Sequence, residues 1–131
     1  MSNYQILVDS SVWIEYFKRG YPSEIDFLIK ENLICTNEII LTELMPVLKK
    51  NNQDDIINGL RSIDMIELDI NWENIREYQL LNLNSGLNHI GIPDLIIIQQ
   101  VIEQKLSLLS FDKHFKLMKK YFQYELFEIN S

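Results

Sequence analysis

Short apolar runs set between longer amphipathic ones constrain this chain more than any other feature. Ile6-Leu7-Val8, Leu33-Ile34-Cys35-Thr36, Met65 to Leu68 and Leu106 to Phe111 are too short for helices and suit buried strands. The first strand is read as Tyr4 to Asp9, followed by a helical run over Val12 to Lys18. Pro22-Ser23-Glu24 opens a second helix, with Ile25, Leu28 and Ile29 at i, i+3, i+4 spacing. Asn37 or Thr36 can cap a helix over Glu38 to Lys50, and another covers Asn52 to Ser62. Asn71 to about Leu83 is helical, carrying Trp72, Ile75, Tyr78 and Leu81-Leu83 on an uneven apolar face, and Asn84-Ser85-Gly86 breaks it. Ile92-Pro93 starts a helix running to about Gln104, Lys113 to Tyr121 forms one more, and Tyr124 to Ile129 closes the chain as an edge strand. The alternation predicts an α/β fold, a three-layer α/β/α sandwich around a mostly parallel twisted sheet of roughly four or five strands.

A chain of 131 residues suits one domain, 1–131, and a content of 47% hydrophobic and 24% charged residues suits a packed core. No apolar run approaches the roughly 18 residues of a membrane span. The N-terminus enters a strand-like run without a basic region or a long apolar one, so a cytoplasmic chain with no membrane partner is expected. Cys35 has no partner cysteine and reads as a buried strand residue. His89 and His114 are too few for a zinc site built on several imidazoles, and His114 is expected to face solvent. The net charge of −7 argues against phosphate binding, but bound divalent cations would invert that sign locally. Basic residues also gather near two acids: Lys18-Arg19 follow Asp9, and Lys113, Lys116, Lys119 and Lys120 follow Asp112. A solvated helix face explains them as readily as a phosphate-binding rim.

Four acids stand where they are costly without a positive partner. Asp9 closes Ile6-Leu7-Val8, and Asp112 closes Leu108-Leu109-Ser110-Phe111. Asp94 follows Pro93 at the head of a very apolar segment, and Glu43 interrupts the apolar spacing of Ile39, Ile40 and Val47. In parallel sheets ligands collect outside the carboxyl ends of the strands, where strand order reverses, and Asp9 and Asp112 both occupy such ends. Taken singly, three of them have another explanation: Asp9 and Asp112 as N-caps, Asp94 as a first-turn residue beside a Pro at N1. Glu43 has no such role, because it belongs to an apolar helix face and either snorkels to the edge or meets a partner. Brought together, the four would call for Mg²⁺ or Mn²⁺. Asp54-Asp55, Asp64, Glu67 and Asp69 read as surface or turn residues, and Glu38 as a cap.

The residues around these acids resemble the motifs of PIN-domain proteins, especially the VapC-type toxins of toxin–antitoxin pairs. Leu7-Val8-Asp9-Ser10-Ser11-Val12-Trp13-Ile14 is similar to the opening motif, and Glu38-Ile39-Ile40-Leu41-Thr42-Glu43-Leu44 to the second. Ile92-Pro93-Asp94-Leu95-Ile96-Ile97 resembles the third, and Leu108-Leu109-Ser110-Phe111-Asp112-Lys113-His114-Phe115 the fourth. The resemblance implies that Asp9, Glu43, Asp94 and Asp112 form a metal site, with Asp9 and Asp94 as principal ligands and Glu43 and Asp112 ligating directly or through water. It also places Ser11 and Ser110 at hydroxyl positions that support neighbouring carboxylates or water. Two features depart from the family pattern: bulky Leu95-Ile96-Ile97-Ile98 where small residues are usual, and Pro46 near a frequent Gly.

The activity implied is endoribonuclease cleavage by water activated beside one or two Mg²⁺ or Mn²⁺ ions, about 4 Å apart if two. It would leave a 5′-phosphate and a 3′-hydroxyl. The implied partners are RNA, a small antitoxin that blocks the acidic cleft, and a second copy in a homodimer. Tyr16, Phe17, Ile25 and Phe27 are candidates for a partner groove. A catalytically silent PIN-like module that binds RNA or protein is the alternative, and the complete acid set argues against it. A phosphorylatable receiver domain would want an acidic pair near the start and an acceptor Asp mid-chain, and neither is present. A nucleotide-binding loop finds no support among four glycines.

Overall fold

The computed structural model describes residues 5–129, so the expected strand residue Tyr4 lies outside the described residues. The described elements follow the order β1 (Ile6–Val8), α1 (Ser10–Arg19), α2 (Glu24–Lys30), β2 (Ile34–Thr36), α3 (Glu38–Lys50), α4 (Asp54–Arg61), β3 (Asp64–Met65), α5 (Trp72–Asn84), α6 (Ile92–Gln104), β4 (Ser107–Leu109), α7 (Lys113–Met118) and β5 (Glu125–Leu126). Every strand pair is parallel, and the sheet order is β3-β2-β1-β4-β5. The chain steps outward from β1 to β3, then crosses back to place β4 on the other side of β1. Right-handed crossovers put α1 to α4 on one face of the sheet and α5 to α7 on the other. In keeping with this, α1 packs on α3, α3 on α4 and α5 on α6. The three-layer α/β/α sandwich of the sequence reading is the observed architecture.

The central strands are short because three fully buried residues suffice to cross the core: Ile6, Leu7 and Val8 in β1, with Leu108 and Leu109 in β4. α6 is buried continuously from Leu95 to Val101, including Gln99 and Gln100. A helix apolar on nearly all sides lies inside a fold rather than on it. The bulky Leu95-Ile96-Ile97-Ile98 run is thus core, which accounts for that departure from the family pattern.

The outer strands are shorter than expected. β3 covers Asp64–Met65 rather than Met65 to Leu68, and β5 only Glu125–Leu126 within Tyr124 to Ile129. Side-chain amides replace the missing pairing beyond β3. Gln100 Nε2 donates to the carbonyls of Ile66 and Glu67, at 3.2 and 3.3 Å, and Gln99 Nε2 to that of Asp69 at 3.2 Å. The Gln99 amide oxygen also accepts the Asn71 N–H. Gln100 Oε1 in turn accepts from Asn37 Nδ2 at 2.7 Å, while Asn37 Oδ1 caps α3 through the Ile40 N–H at 2.9 Å. Asn37 therefore ties the start of α3 to the middle of α6, the two helices that carry Glu43 and Asp94. α7 likewise ends at Met118, short of Tyr121.

Candidate metal centre

Strand order reverses between β1 and β4. Val8 pairs with Leu109, and the Asp9 N–H continues the ladder by donating to the Leu109 carbonyl at 2.9 Å. The carboxyl ends of the two central strands thus open side by side, the place where parallel sheets build ligand sites. Asp9 is only 5% exposed there. It occupies the N-cap position of α1, yet its side chain makes no capping bond. One oxygen, Oδ2, instead accepts from Ser11 Oγ at 2.8 Å and from Ser110 Oγ at 2.7 Å. The capping explanation of Asp9 is therefore set aside. The same hydroxyls accept backbone bonds, Ser11 Oγ from the Phe111 N–H and Ser110 Oγ from the Asp112 N–H, both at 3.0 Å. Asp9 and the turn that follows β4 are held as one unit.

Asp112 does cap its helix: Oδ1 accepts the His114 N–H at 2.9 Å at the start of α7. That role uses one acceptor site of Oδ1 and leaves the rest of the carboxylate open to a further partner. Asp94 lies in the first turn of α6, after the Gly91 N-cap and beside Pro93, with its side chain 24% exposed. His114 does not point to solvent, contrary to expectation. Its Nδ1 lies 3.3 Å from Asp112 Oδ1 and 3.9 Å from Asp94 Oδ2. Helical side chains lean back toward the N-terminal turn, which at this position carries the His114 ring over Asp112.

Glu43 is exposed, and its place on an apolar face is corrected. The buried residues of α3 are Ile40, Leu41, Leu44 and Leu48, whereas Val47, one turn beyond Glu43, is 58% exposed. Glu43 sits at the boundary of the buried face and sends its carboxylate to the rim, where Oε1 accepts from Ser10 Oγ at 3.1 Å.

The four acids share one electrostatic environment. Burial is the main reason the Asp94 carboxyl is pushed up to about 6. Asp112 and Asp9 raise it further, nearby His114 opposes them, and Glu43 adds a smaller push. Glu43 is also shifted upward, mainly by dehydration of its carboxyl end, against the Ser10 hydrogen bond and with repulsion from Asp9 and Asp112. The repulsion that neighbouring carboxylates exert on Asp94 and Glu43 is relieved by a cation. Their oxygen donors match hard divalent ions such as Mg²⁺ and Mn²⁺, so the residues present fit such an ion. Among the described residues, one donor atom each of Asp94, Asp112 and His114 lies within 4.8 Å of the others.

The surroundings are basic in places. Lys113, Lys116, Lys119 and Lys120 are all exposed, as is Lys18, while Arg19 Nε is engaged by Glu15 Oε2 at 2.6 Å. Ser10 was not singled out in the sequence, where it carried no signal beyond its neighbour Ser11. His114 was weighed and expected to face solvent, although an imidazole in the first turn of a helix capped by an acid was a signal.

Residues 6–121 match the PIN domain family, and the chain belongs to it. PIN-domain proteins are nucleases that typically use divalent metals. The structure is similar to that of VapBC2 from Rickettsia felis bound to a DNA fragment from their promoter, with TM-score 0.75 and 20% identity over 95% of this chain and 98% of that one. It is also similar to DNA-bound VapBC from Salmonella typhimurium, with TM-score 0.74 and 12% identity over 94% and 96% of the two chains. A toxin–antitoxin complex from Klebsiella pneumoniae aligns at TM-score 0.61 and 19% identity, covering 83% of this chain and 88% of that one. No curated protein matches the chain in sequence.

Proposed function

We propose that residues 1–131 act as one metal-dependent endoribonuclease domain, the toxin of a VapBC-like type II toxin–antitoxin pair. Asp9, Glu43, Asp94 and Asp112 hold Mg²⁺ or Mn²⁺, with Ser11 and Ser110 fixing Asp9 and Ser10 fixing Glu43. The observation that carries this reading is geometric: at the strand-order reversal the Asp9 carboxylate turns to Ser11 and Ser110 rather than capping α1, and Asp112 and Asp94 lie 3.3 and 3.9 Å from one His114 nitrogen. In keeping with it, burial first, and then Asp112, Asp9 and Glu43, raise the pKa of the Asp94 carboxyl. Bound there, the cation supplies positive charge to the phosphoryl oxygens and makes an attacking water more acidic. The protein's own part is to hold the carboxylates in fixed directions, so that little reorganisation accompanies charge development at phosphorus. The exposed lysines of the α7 region offer phosphate contacts around an otherwise acidic chain.

An antitoxin partner is supported by two adjoining clefts on α1. One, of about 510 Å³ between α1, α2 and α4, is lined by Trp13, Tyr16, Phe17, Ile29 and Ile63. The other, of about 320 Å³, is lined by Ile14, Phe17, Val47 and Glu43. Phe17 belongs to both, so a segment seated on α1 would reach the rim of the acidic centre. Phe27 is exposed nearby, whereas Ile25 is fully buried and leaves the set of groove candidates. A homodimer is supported by α5, which leaves Trp72, Leu80, Leu81 and Leu83 exposed. A cytoplasmic location agrees with the absence, among the described residues, of any helix long and apolar enough to cross a membrane.

The test is cleavage of single-stranded RNA by the purified chain. Activity with Mg²⁺ or Mn²⁺, lost in EDTA and leaving 5′-phosphate ends, is expected. Undiminished cleavage in EDTA, or 2′,3′-cyclic phosphate ends, would exclude this mechanism.

A further inference from the structure

We propose that His114 is a nitrogen ligand of the cation held beside Asp94 and Asp112, and that it biases the centre toward Mn²⁺ over Mg²⁺. The inference rests on the metal-dependent reading above. A cation that holds its donors at about 2.0–2.1 Å sets neighbouring ligands about 3 Å apart and opposed ones about 4 Å apart. His114 Nδ1 lies 3.3 Å from Asp112 Oδ1 and 3.9 Å from Asp94 Oδ2, both within that span. The three donor atoms come from two elements separated in sequence, α6 and the start of α7, and all lie within 4.8 Å of one another.

The ring is already seated. The His114 side chain is 27% exposed, its backbone N–H is fixed on Asp112 Oδ1, and the adjacent Phe115 is buried and anchors the helix. No swing from solvent is required for Nδ1 to ligate. A hydrogen bond from Nδ1–H to Asp112 is the competing structural role. It explains the 3.3 Å contact but not the second carboxylate at 3.9 Å, and it carries no preference among metals. Ligation does carry one. Mg²⁺ favours oxygen donors and sheds water reluctantly, whereas imidazole nitrogen suits first-row transition ions better.

The test reads electron spin-echo modulation from Mn²⁺ bound to the full chain, with Mn²⁺ and Mg²⁺ affinities measured in parallel for wild type, H114A, H114Q and H89Q. The only other imidazole, His89, is exposed. Expected is ¹⁴N coupling in wild type and H89Q that disappears in H114A and H114Q. Mn²⁺ affinity should fall about tenfold or more in both His114 variants, while Mg²⁺ affinity changes little. Stoichiometric Mn²⁺ binding without ¹⁴N coupling, or an equal loss for both ions, would overturn His114 ligation and leave the carboxylate centre standing. Absence of Mn²⁺ binding in wild type would remove both.

Discussion

Ser110 Oγ lies 2.7 Å from Asp9 Oδ2, joining the carboxyl ends of the two central strands across most of the chain's length. The same hydroxyl accepts the Asp112 N–H, so one side chain orients two of the four acids. Ser110→Ala leaves the Asp112 N–H without this acceptor and takes one of two donors from a carboxylate that is 5% exposed. A loss of about 1–3 kcal/mol in stability is expected, read from the denaturant midpoint. Mn²⁺ affinity should also fall by about 10–100-fold in calorimetric titration, as it does when a ligand's hydrogen-bond partner is removed. Unchanged affinity would show that the Ser110 contact serves folding alone.

Asp9→Asn separates charge from shape. The amide oxygen can still accept from Ser11 and Ser110, so the fold should persist, with a melting temperature close to that of wild type. On the proposed assignment RNA cleavage should drop to background, because Asp9 would lose the charge with which it holds the cation. Full activity in Asp9→Asn protein would defeat the site assignment.

Asp94 gives the metal-free protein a specific pH dependence. Its carboxyl titrates near the ordinary value of about 3.9 when unfolded and at about 6 when folded. The folded state therefore holds this proton more firmly. Its stabilising contribution is full below about pH 4 and is lost as pH rises through about 6. In EDTA, the melting temperature of wild type should fall between about pH 4 and pH 7 relative to Asp94→Asn. Saturating Mn²⁺ should reverse that fall by binding only the folded site. Parallel pH profiles for the two proteins would contradict the shift.

Gln100→Leu tests the link between the helices that carry Glu43 and Asp94. It removes the acceptor of the buried Asn37 amide and the donor to the Ile66 and Glu67 carbonyls. Buried groups left unpaired cost about 1–3 kcal/mol each. A lower denaturant midpoint is expected, whereas Gln100→Glu, which retains an acceptor for Asn37, should recover part of it at a pH low enough to protonate the new carboxyl, which then also has a donor for a carbonyl. Equal losses in both variants would assign the effect to the carbonyl contacts instead.

The sequence made the layers legible because apolar periodicity is local, and it named the four acids of the candidate site. Three buried residues mark β1, and the helix over Ile92 to Gln104 appears with its expected bounds, since Pro93 marks its start. The short outer strands were not legible. Beyond β3 the backbone of Ile66, Glu67 and Asp69 is bonded by the side chains of Gln99 and Gln100, which a periodic reading counts only as polar interruptions in an apolar run. Asp9, Asp94 and Asp112 could be found as acids at element ends, but capping and ligation share that position. Only the direction of the Asp9 carboxylate, toward two hydroxyls rather than the helix N–H groups, removes the capping explanation for it. Glu43 was noticed for its apolar neighbours, yet Val47 faces solvent, so that reason fails. His114 was expected in solvent because the lean of a side chain over its own first turn is a matter of rotamer rather than spacing.

Anomalous diffraction from crystals soaked in Mn²⁺ tests most directly whether the four acids serve a common cation. A peak within coordination distance of Asp9 and Asp94, and within reach of Glu43 and Asp112 directly or through one water, is expected. Saturating Mn²⁺ with no peak in that cleft, or with peaks only at surface acids such as Asp54 and Asp55, would contradict it.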